Sequence, residues 1–368
     1  MVSNLVTSLG LMSGTSLDGI DVALLRTDGE TAMERGPSRT FAYTPQQRQL
    51  LTQALNAAID LTDRADRRGI LGEAEIALTG WHAQSVRVFL KENGLTQSDI
   101  DIIGFHGQTV LHRPERQLTV QLGDGQALAN QMAIKVAFDL RAADIAAGGQ
   151  GAPLVPIYHK ALAATLGEKS VAFVNIGGVA NVTFVHGGHL LAFDTGPGNA
   201  LLDDWMMRHT GSPVDLGGAA ALRGVPDARR LQAFLSQSYF QQPVPKSLDR
   251  NTFAEMVLDG LSLEDGAATL SAMTAGAIAS AAQHSRDVPA LWVIGGGGRK
   301  NAAIMANLRS HLPVVKTAED CKLDGDAMEA EAWAYLAVRA MRGLPLSFPT
   351  TTGVPQAMTG GIIALPEV

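Results

Sequence analysis

Apolar and polar positions along the chain sort into short strand-like runs and longer helical ones. Leu9, Leu11 and Met12 form an apolar stretch that gives way to Ser13-Gly14-Thr15-Ser16, and apolar residues resume at Val22-Ala23-Leu24-Leu25. This pattern predicts a hairpin, strand then tight turn then strand, with small and hydroxylated residues at its tip. Residues 46 to 96 carry helical spacing with charged faces, including Arg64, Asp66, Arg67, Arg68 and Glu73. A short strand from Asp99 to Gly104 is expected to deliver Phe105-His106-Gly107-Gln108-Thr109 at its end. A hairpin-like pair follows near Val110-Leu111-His112 and Leu118 to Leu122, then a strand from Ile134 to Leu140 that runs into Asp139-Leu140-Arg141.

Val155 to Ala164 reads as a helix. Val171 to Asn175 is an apolar strand entering Ile176-Gly177-Gly178-Val179-Ala180-Asn181, with Val182 to Val185 behind it. After Gly187-Gly188, a strand from Leu190 to Phe193 ends at Asp194. Residues 200 to 285 read as mainly helical, Leu291 to Ile294 as a strand meeting Gly295 to Gly298, and 301 to 310 as a helix. A last helix runs from about Met328 to Arg342 and carries Glu329 and Glu331. The order therefore repeats: near residue 10 and again near residue 175, a strand meets a glycine-rich turn and a second strand. Two related α/β domains, each giving one phosphate-facing hairpin to a shared cleft, explain this economically.

Length agrees, since 368 residues exceed the size at which a single core stops growing. The expected division is an N-terminal ATPase-like domain over 1–138, completed by 345–368, and a second over 139–344. A hydrophobic share of 46% with 18% charged residues describes an ordinary soluble globular protein. The net charge of −7 argues against nucleic acid or an anionic membrane as a bulk partner. Cys321 is the only cysteine, which excludes an intrachain disulfide or a cysteine-built zinc site and suits a reducing compartment. The N-terminus has no secretory-signal pattern, and the uncharged stretch from Gly266 to Ser285 is polar enough to be a packed helix, so the cytoplasm is expected.

Several runs carry candidate chemistry. At 13–21, the hydroxyls of Ser13, Thr15 and Ser16 and the loop N–H groups can donate to phosphate oxygens, while Asp18 and Asp21 can hold a cation or a substrate hydroxyl. The alternative is a Ser/Thr-rich turn with no ligand. Asp139-Leu140-Arg141 before Gly148-Gly149-Gln150-Gly151 suits an anionic ligand, or else an Asp–Arg salt bridge that braces the loop. Asp194 before Gly196-Pro197-Gly198 has the fixed, exposed oxygen that a general base needs, or else caps the helix entered near Asn199. Gly295 to Gly298 followed by Asn301 lets a flat base or ribose lie against bare backbone, or is a structural turn. His106 is a core histidine or a substrate donor, His82 packs beside Trp81, and Glu329 and Glu331 are site residues or surface charges. No Walker-type or dinucleotide glycine fingerprint is present, so any nucleotide is cradled by hairpin loops. No spacing suggests a histidine metal site.

Taken together, these runs resemble a known family. Gly-Leu-Met-Ser-Gly-Thr-Ser-Leu-Asp-Gly at 10–19, His-Gly-Gln-Thr at 106–109 and Gly-Gly-Gln-Gly-Ala-Pro-Leu-Val-Pro at 148–156 come in that order. Asn-Ile-Gly-Gly at 175–178, Phe-Asp-Thr-Gly-Pro-Gly-Asn at 193–199, Pro245-Lys246-Ser247 and the glycine run at 295–298 complete the series. The chain resembles the anhydro-N-acetylmuramic acid kinases of bacterial peptidoglycan recycling over nearly its whole length.

The resemblance implies an α/β, two-domain fold of the actin/Hsp70/sugar-kinase type with an interdomain nucleotide cleft. It implies an ATP- and Mg²⁺-dependent enzyme, a cytoplasmic homodimer, that hydrolyses the 1,6-anhydro bond of the sugar and phosphorylates O6. Asp194 matches the family's catalytic aspartate. Gly14, Thr15, Ser16, Leu17, Asp18, Gly19, Ile20 and Asp21 would hold the β- and γ-phosphates, and Gly177, Gly178 and Asn181 would form the second phosphate hairpin. Gly296, Gly297 and Gly298 would face the adenosine; Arg299 and Lys300 depart from the family's pattern, which has a small or apolar residue nearer 299, and bear on nucleotide affinity. Arg141 would meet the lactyl carboxylate, with Asp18, His106 and Glu329 at the sugar ring; which residues approach the metal is left open. The rivals are an ordinary hexose kinase of the same superfamily, and an actin-like or Hsp70-like ATPase, which the absence of a β-rich peptide-binding domain disfavours.

Overall fold

The first apolar run becomes β1 (Val6–Ser13), which turns back into β2 (Gly19–Thr27) and β3 (Met33–Ala42). A computed structural model describes residues 5–248, 252–253 and 258–367. Two units divide them: one takes residues up to Ala161 and resumes at Ala327, the other runs from Leu162 to Asp326. The first unit continues with α1 (Pro45–Ala57), whose start is set by Thr44 and Gln47 in a reciprocal capping box with Pro45 at the first helical position. Next come α2 (Ile70–Glu92), β4 (Ile102–Arg113), β5 (Leu118–Leu122) and α3 (Gly125–Met132), the last capped by the Asp124 carboxylate. β6 (Lys135–Phe138), α4 (Ala142–Ala146) and α5 (Pro156–Thr165) follow.

The second unit holds β7 (Ser170–Ile176), β8 (Val179–His186), β9 (His189–Pro197), α6 (Ala200–Thr210), α7 (Ala228–Leu235) and α8 (Leu263–Ser280). β10 (Leu291–Gly295), α9 (Ala302–His311) and β11 (Val315–Thr317) complete it. The chain then returns to the first unit as α10 (Met328–Met341) and β12 (Ile362–Ala364).

Both sheets are built the same way. In the first unit β6, β4 and β1 are parallel and β2 and β3 continue antiparallel, with β12 and β5 added. In the second, β11, β10 and β7 are parallel and β8 and β9 antiparallel. The duplication read from the glycine turns is thus a duplication of topology. Among the described residues, no helix is long and apolar enough to cross a membrane, and residues 266–278 are buried on α8.

Alternation along the strands of the first sheet divides its side chains between two buried faces. Leu9, Leu11, Val22, Ile103, Phe105 and Val136 pack with Leu78, Val86 and Phe89 of α2. Ala23 and Ala137 face the other way, toward the alanine-rich α10. Gly10 and Gly104, paired across β1 and β4, let that helix come close: a Cβ at Gly10 would lie 1.7 Å from the Ala330 carbonyl oxygen, and one at Gly104 2.1 Å from that of Trp333. In the second unit Val174, Ile176, Val182, Phe184, Phe193, Trp292 and Ile294 form the core with Ala275 and Ile278 of α8 and Ile304 and Leu308 of α9.

The boundaries differ from those expected at 138/139 and 344/345. Residues 139–161 stay with the first unit because Asp144 and Gln150 bind Thr352, and α10 stays there because it packs on β1 and β4. We expect Gly104→Ala to lower stability by about 2–4 kcal/mol through that backbone clash. Gly80→Ala on α2, where a Cβ meets nothing within 4 Å, should raise it by about 0.5–1 kcal/mol. Urea titrations of both variants check the contrast.

Candidate active site

In the first unit, the His106-Gly107-Gln108-Thr109 run lies inside β4 rather than at its end, because the ladder to β5 continues through Arg113. The pairing of β4 with β1 slips at this point: Leu11 faces Phe105 but Ser13 faces Gln108. This bulge puts Gly107 at φ +69°, where a Cβ would come 2.3 Å from the Leu122 carbonyl oxygen. The bulge is laced to the end of β1. Ser13 Oγ donates to Gly107 O (2.9 Å) and Gln108 Nε2 donates to Gly14 O (3.1 Å).

His106 Nε2 lies 3.2 Å from Arg141 Nη2, and an arginine can only donate, so Nε2 accepts. The proton therefore sits on Nδ1 and is donated to Ser13 O (3.2 Å). Burial, then the Arg141 cation, pushes this imidazole down to about 3. Its ring rests on Trp333 (centroids 4.5 Å apart), and the Arg141 guanidinium lies 5.1 Å over the same indole. Arg141 Nη1 donates to Gly151 O (2.8 Å). Burial lowers Arg141 to about 10, with Glu329 and Asp144 opposing, so it stays a cation.

His106, Arg141 and Glu329 thus come together around Trp333. Asp18 stands exposed between β1 and β2, with its carbonyl accepting from Tyr43 N (3.0 Å). The salt-bridge alternative takes a different form from the expected one. Asp139 pairs with Arg64 (2.5 Å), and the glycine loop is braced by Asp144, which accepts from Gly151 N and Thr352 Oγ1, both at 2.6 Å. Glu331 is no surface charge: it is 3% exposed and accepts from the Tyr158 hydroxyl at 2.6 Å.

The β1–β2 loop presents Thr15 and Ser16 to solvent, with Leu17 at φ +56° donating to Gly14 O (3.2 Å). Asp21, on β2, accepts from Thr40 Oγ1 (2.5 Å), and Ile20 is buried in the core. Among the described residues no group of three or more His, Cys, Asp or Glu is placed to hold a metal.

In the second unit, Asp194 also lies within a strand, at a bulge. Asn181 on β8 faces Asp194 while Ala180 faces Gly196, so Thr195 is the extra residue on β9. Asn175, Asn181 and Asp194 are consecutive cross-strand partners over β7, β8 and β9. Leu248 N donates to Asp194 Oδ2 (2.8 Å), yet burial outweighs that bond and raises the carboxyl to about 6. Asp194 does not cap α6; Asn199 stands at that N-cap position.

The Gly177-Gly178 turn accepts from the residues that enter α6: Asn199 N donates to Gly177 O (2.7 Å), and Gly198 N and Ala200 N donate to Gly178 O (2.9 and 3.2 Å). Gly296 follows β10 at φ +70°, and the chain then makes a 3₁₀ turn before Asn301 caps α9. Arg299 does not face outward beside it. Its guanidinium is buried between Glu319 and Asp326 (2.8 and 2.9 Å), with Nη1 donating to Gly296 O (2.9 Å), while Lys300 pairs with Asp326 (3.0 Å).

A family profile described as anhydro-N-acetylmuramic acid kinase matches residues 6–366. The chain belongs to the anhydro-N-acetylmuramic acid kinase family. It is therefore an enzyme and a kinase, as the motif resemblance implied. Curated relatives of that name include one from Nitrobacter winogradskyi, 51% identical over 98% of this chain and 100% of its own. Another, from Rhodopseudomonas palustris, is 52% identical over the same shares. Among solved structures, a glucokinase of the ROK family from Streptomyces griseus aligns over 90% of this chain and 99% of its own, with a TM-score of 0.42 and 14% identity.

The sequence does not announce the parts taken by Trp333, Tyr239 and the Leu248 N–H, and Asp144, in the run before the glycine loop, carries no expected role. The one hint is the spacing of Trp333, which follows Glu329 by four positions on one helix and so shares its face. With Arg141 donating to Nε2, we expect ¹⁵N NMR to show His106 as the neutral Nδ1–H tautomer across pH 5 to 8. An imidazolium in that range would contradict the assignment.

Proposed function

We propose that this kinase opens the 1,6-anhydro ring of 1,6-anhydro-N-acetylmuramic acid with water and phosphorylates O6 with ATP. The products are N-acetylmuramic acid 6-phosphate and ADP, in peptidoglycan recycling. The observation that carries the reading is the setting of Asp194: a carboxyl fixed at a bulge by one main-chain N–H and raised by burial to about 6. A base with that affinity is charged at neutral pH and still takes a proton readily.

In this reading Asp194 accepts a proton from water as the water oxygen forms its bond to C1. The C1–O6 bond breaks, and its electron pair stays on O6, which attacks the γ-phosphorus as the bond to the β-phosphate oxygen breaks. No separate acid is needed, because the phosphoryl group takes the place of a proton on the leaving oxygen. One proton is released for each ATP and water consumed.

The glycines support a nucleotide site. A Cβ at Gly14, Gly177, Gly178 or Gly297 would meet nothing nearer than 3.5 Å, and none of the four has a positive φ. The fold does not require glycine there, whereas a phosphate or ribose approaching bare backbone does. Gly19, Gly296 and Gly298 differ: at each a Cβ would lie within 2.5 Å of another atom, so they shape the loops. The first unit supplies the hairpin of Gly14, Thr15, Ser16, Leu17, Asp18, Gly19, Ile20 and Asp21. The second supplies Gly177, Gly178 and Asn181 for the phosphates and Gly296 to Gly298 for the adenosine.

Asp18 and Asp21 suit a magnesium ion that keeps most of its ligands from phosphates and water, and so needs no cage of three carboxylates, while the loop N–H and hydroxyl groups donate to the phosphates. When bound with ATP, magnesium neutralises charge on the β- and γ-phosphates. Arg141, held as a cation between Gly151 and His106, receives the lactyl carboxylate of the sugar, with Glu329, His106 and Asp18 at the ring. The protein acts as a cytoplasmic homodimer, a reading that rests on the family.

Asp194→Asn is expected to lower kcat at least a thousandfold while ADP affinity stays within about twofold. The base works only as a carboxylate, so wild-type kcat/KM should fall as pH drops through about 6. Steady-state kinetics from pH 4.5 to 8.5 check both. Wild-type turnover by the Asn variant, or an acidic limb near 4, would contradict the base assignment.

A further inference from the structure

Asp194 is held by a closed ring of contacts that the proposed chemistry does not itself use. The Tyr239 hydroxyl donates to Asp194 O (2.6 Å), and Asp194 N donates to Lys246 O (3.0 Å). Lys246 Nζ donates to Tyr239 O (2.7 Å) and sits 4.3 Å over the Tyr239 ring, which closes the circuit. Two residues beyond Lys246, Leu248 N donates to the Asp194 carboxylate (2.8 Å). Tyr239 is 7% exposed and packs edge-on against Phe240 and Phe253, so the wall on which the ammonium rests is fixed.

We propose that Lys246, acting with Tyr239, is a positioning residue that holds the Lys246–Leu248 segment against Asp194, so that the Leu248 N–H fixes one carboxylate oxygen. The inference rests on Asp194 being the base. A surface lysine would hold its ammonium in water; this one gives it to a main-chain carbonyl and an aromatic face, while its own carbonyl accepts from Asp194 N. Among the described residues, the charged and titratable groups around the aspartate are Lys246, Tyr239 and, beyond Phe193, His284. His284 is lowered by burial and then by Lys246. Loosening the segment removes an N–H from the carboxylate and so moves the carboxyl upward.

The test is steady-state kinetics of Lys246→Met, Lys246→Arg and Tyr239→Phe with ATP and the anhydro sugar. For Lys246→Met we expect kcat about a hundredfold lower, because the base is misplaced, with both KM values within about twofold. The acidic limb of kcat/KM should move about one pH unit higher, and Lys246→Arg should restore part of both. Tyr239→Phe removes a single hydroxyl, and should give a smaller loss with the same upward limb if Lys246→Met does not fold. Wild-type kcat and limb in Tyr239→Phe and in any folded Lys246→Met would overturn the proposal, as would a raised KM with an unmoved limb. If Asp194→Asn itself stays active, the base assignment has failed instead.

Discussion

The close approach of α10 to β1 and β4 is the constraint on which the first unit depends. Gly10 and Gly104 lie side by side in the sheet, and the backbone of α10 occupies the space that their side chains would fill. The contact fixes the helix at the distance set by two bare strands and by alanines along its face. Glu329, beside Arg141, and Trp333, under both His106 and Arg141, are placed by that packing rather than by any loop. A site built on regular elements in this way holds its side chains more tightly than a loop would.

The same device appears in both halves of the chain. Each sheet has three parallel strands followed by two antiparallel ones, and in each a bulge carries a candidate site residue: His106 on β4 and Asp194 on β9. One extra residue per bulge re-aims a side chain without ending the strand, so the residue is directional and braced on both sides. Burial then sets the chemistry. It leaves His106 neutral and able to accept from Arg141, and it lifts Asp194 into the range useful for a base at neutral pH.

Much of this is legible in the sequence because it is local. The two hairpins with glycine turns, the helix capped at Asn301, the polar buried α8 and the last helix all follow from short-range pattern. What is not legible depends on partners far away in the chain. The strands carrying His106 and Asp194 continue past the expected ends because β5 and β8 pair with them there, and no spacing announces a bulge. Glu331 reads as a helical surface charge until Tyr158 meets it, and Arg299 as a free cation until Glu319 and Asp326 close on it. The brace on the glycine loop fell to Asp144 rather than Asp139 because Thr352, some two hundred residues on, supplies the matching hydroxyl.

The central claim is that ring opening and phosphorylation are one coupled reaction, and isotope placement addresses it most directly. The measurement is phosphoryl transfer from ATP to the anhydro sugar in ¹⁸O-labelled water, with mass spectrometry of the product soon after mixing. The account requires ¹⁸O at C1, unlabelled oxygen at O6 and the phosphate on O6. A phosphorylated sugar whose anhydro ring is intact, or ATP hydrolysis with no sugar product, would contradict it.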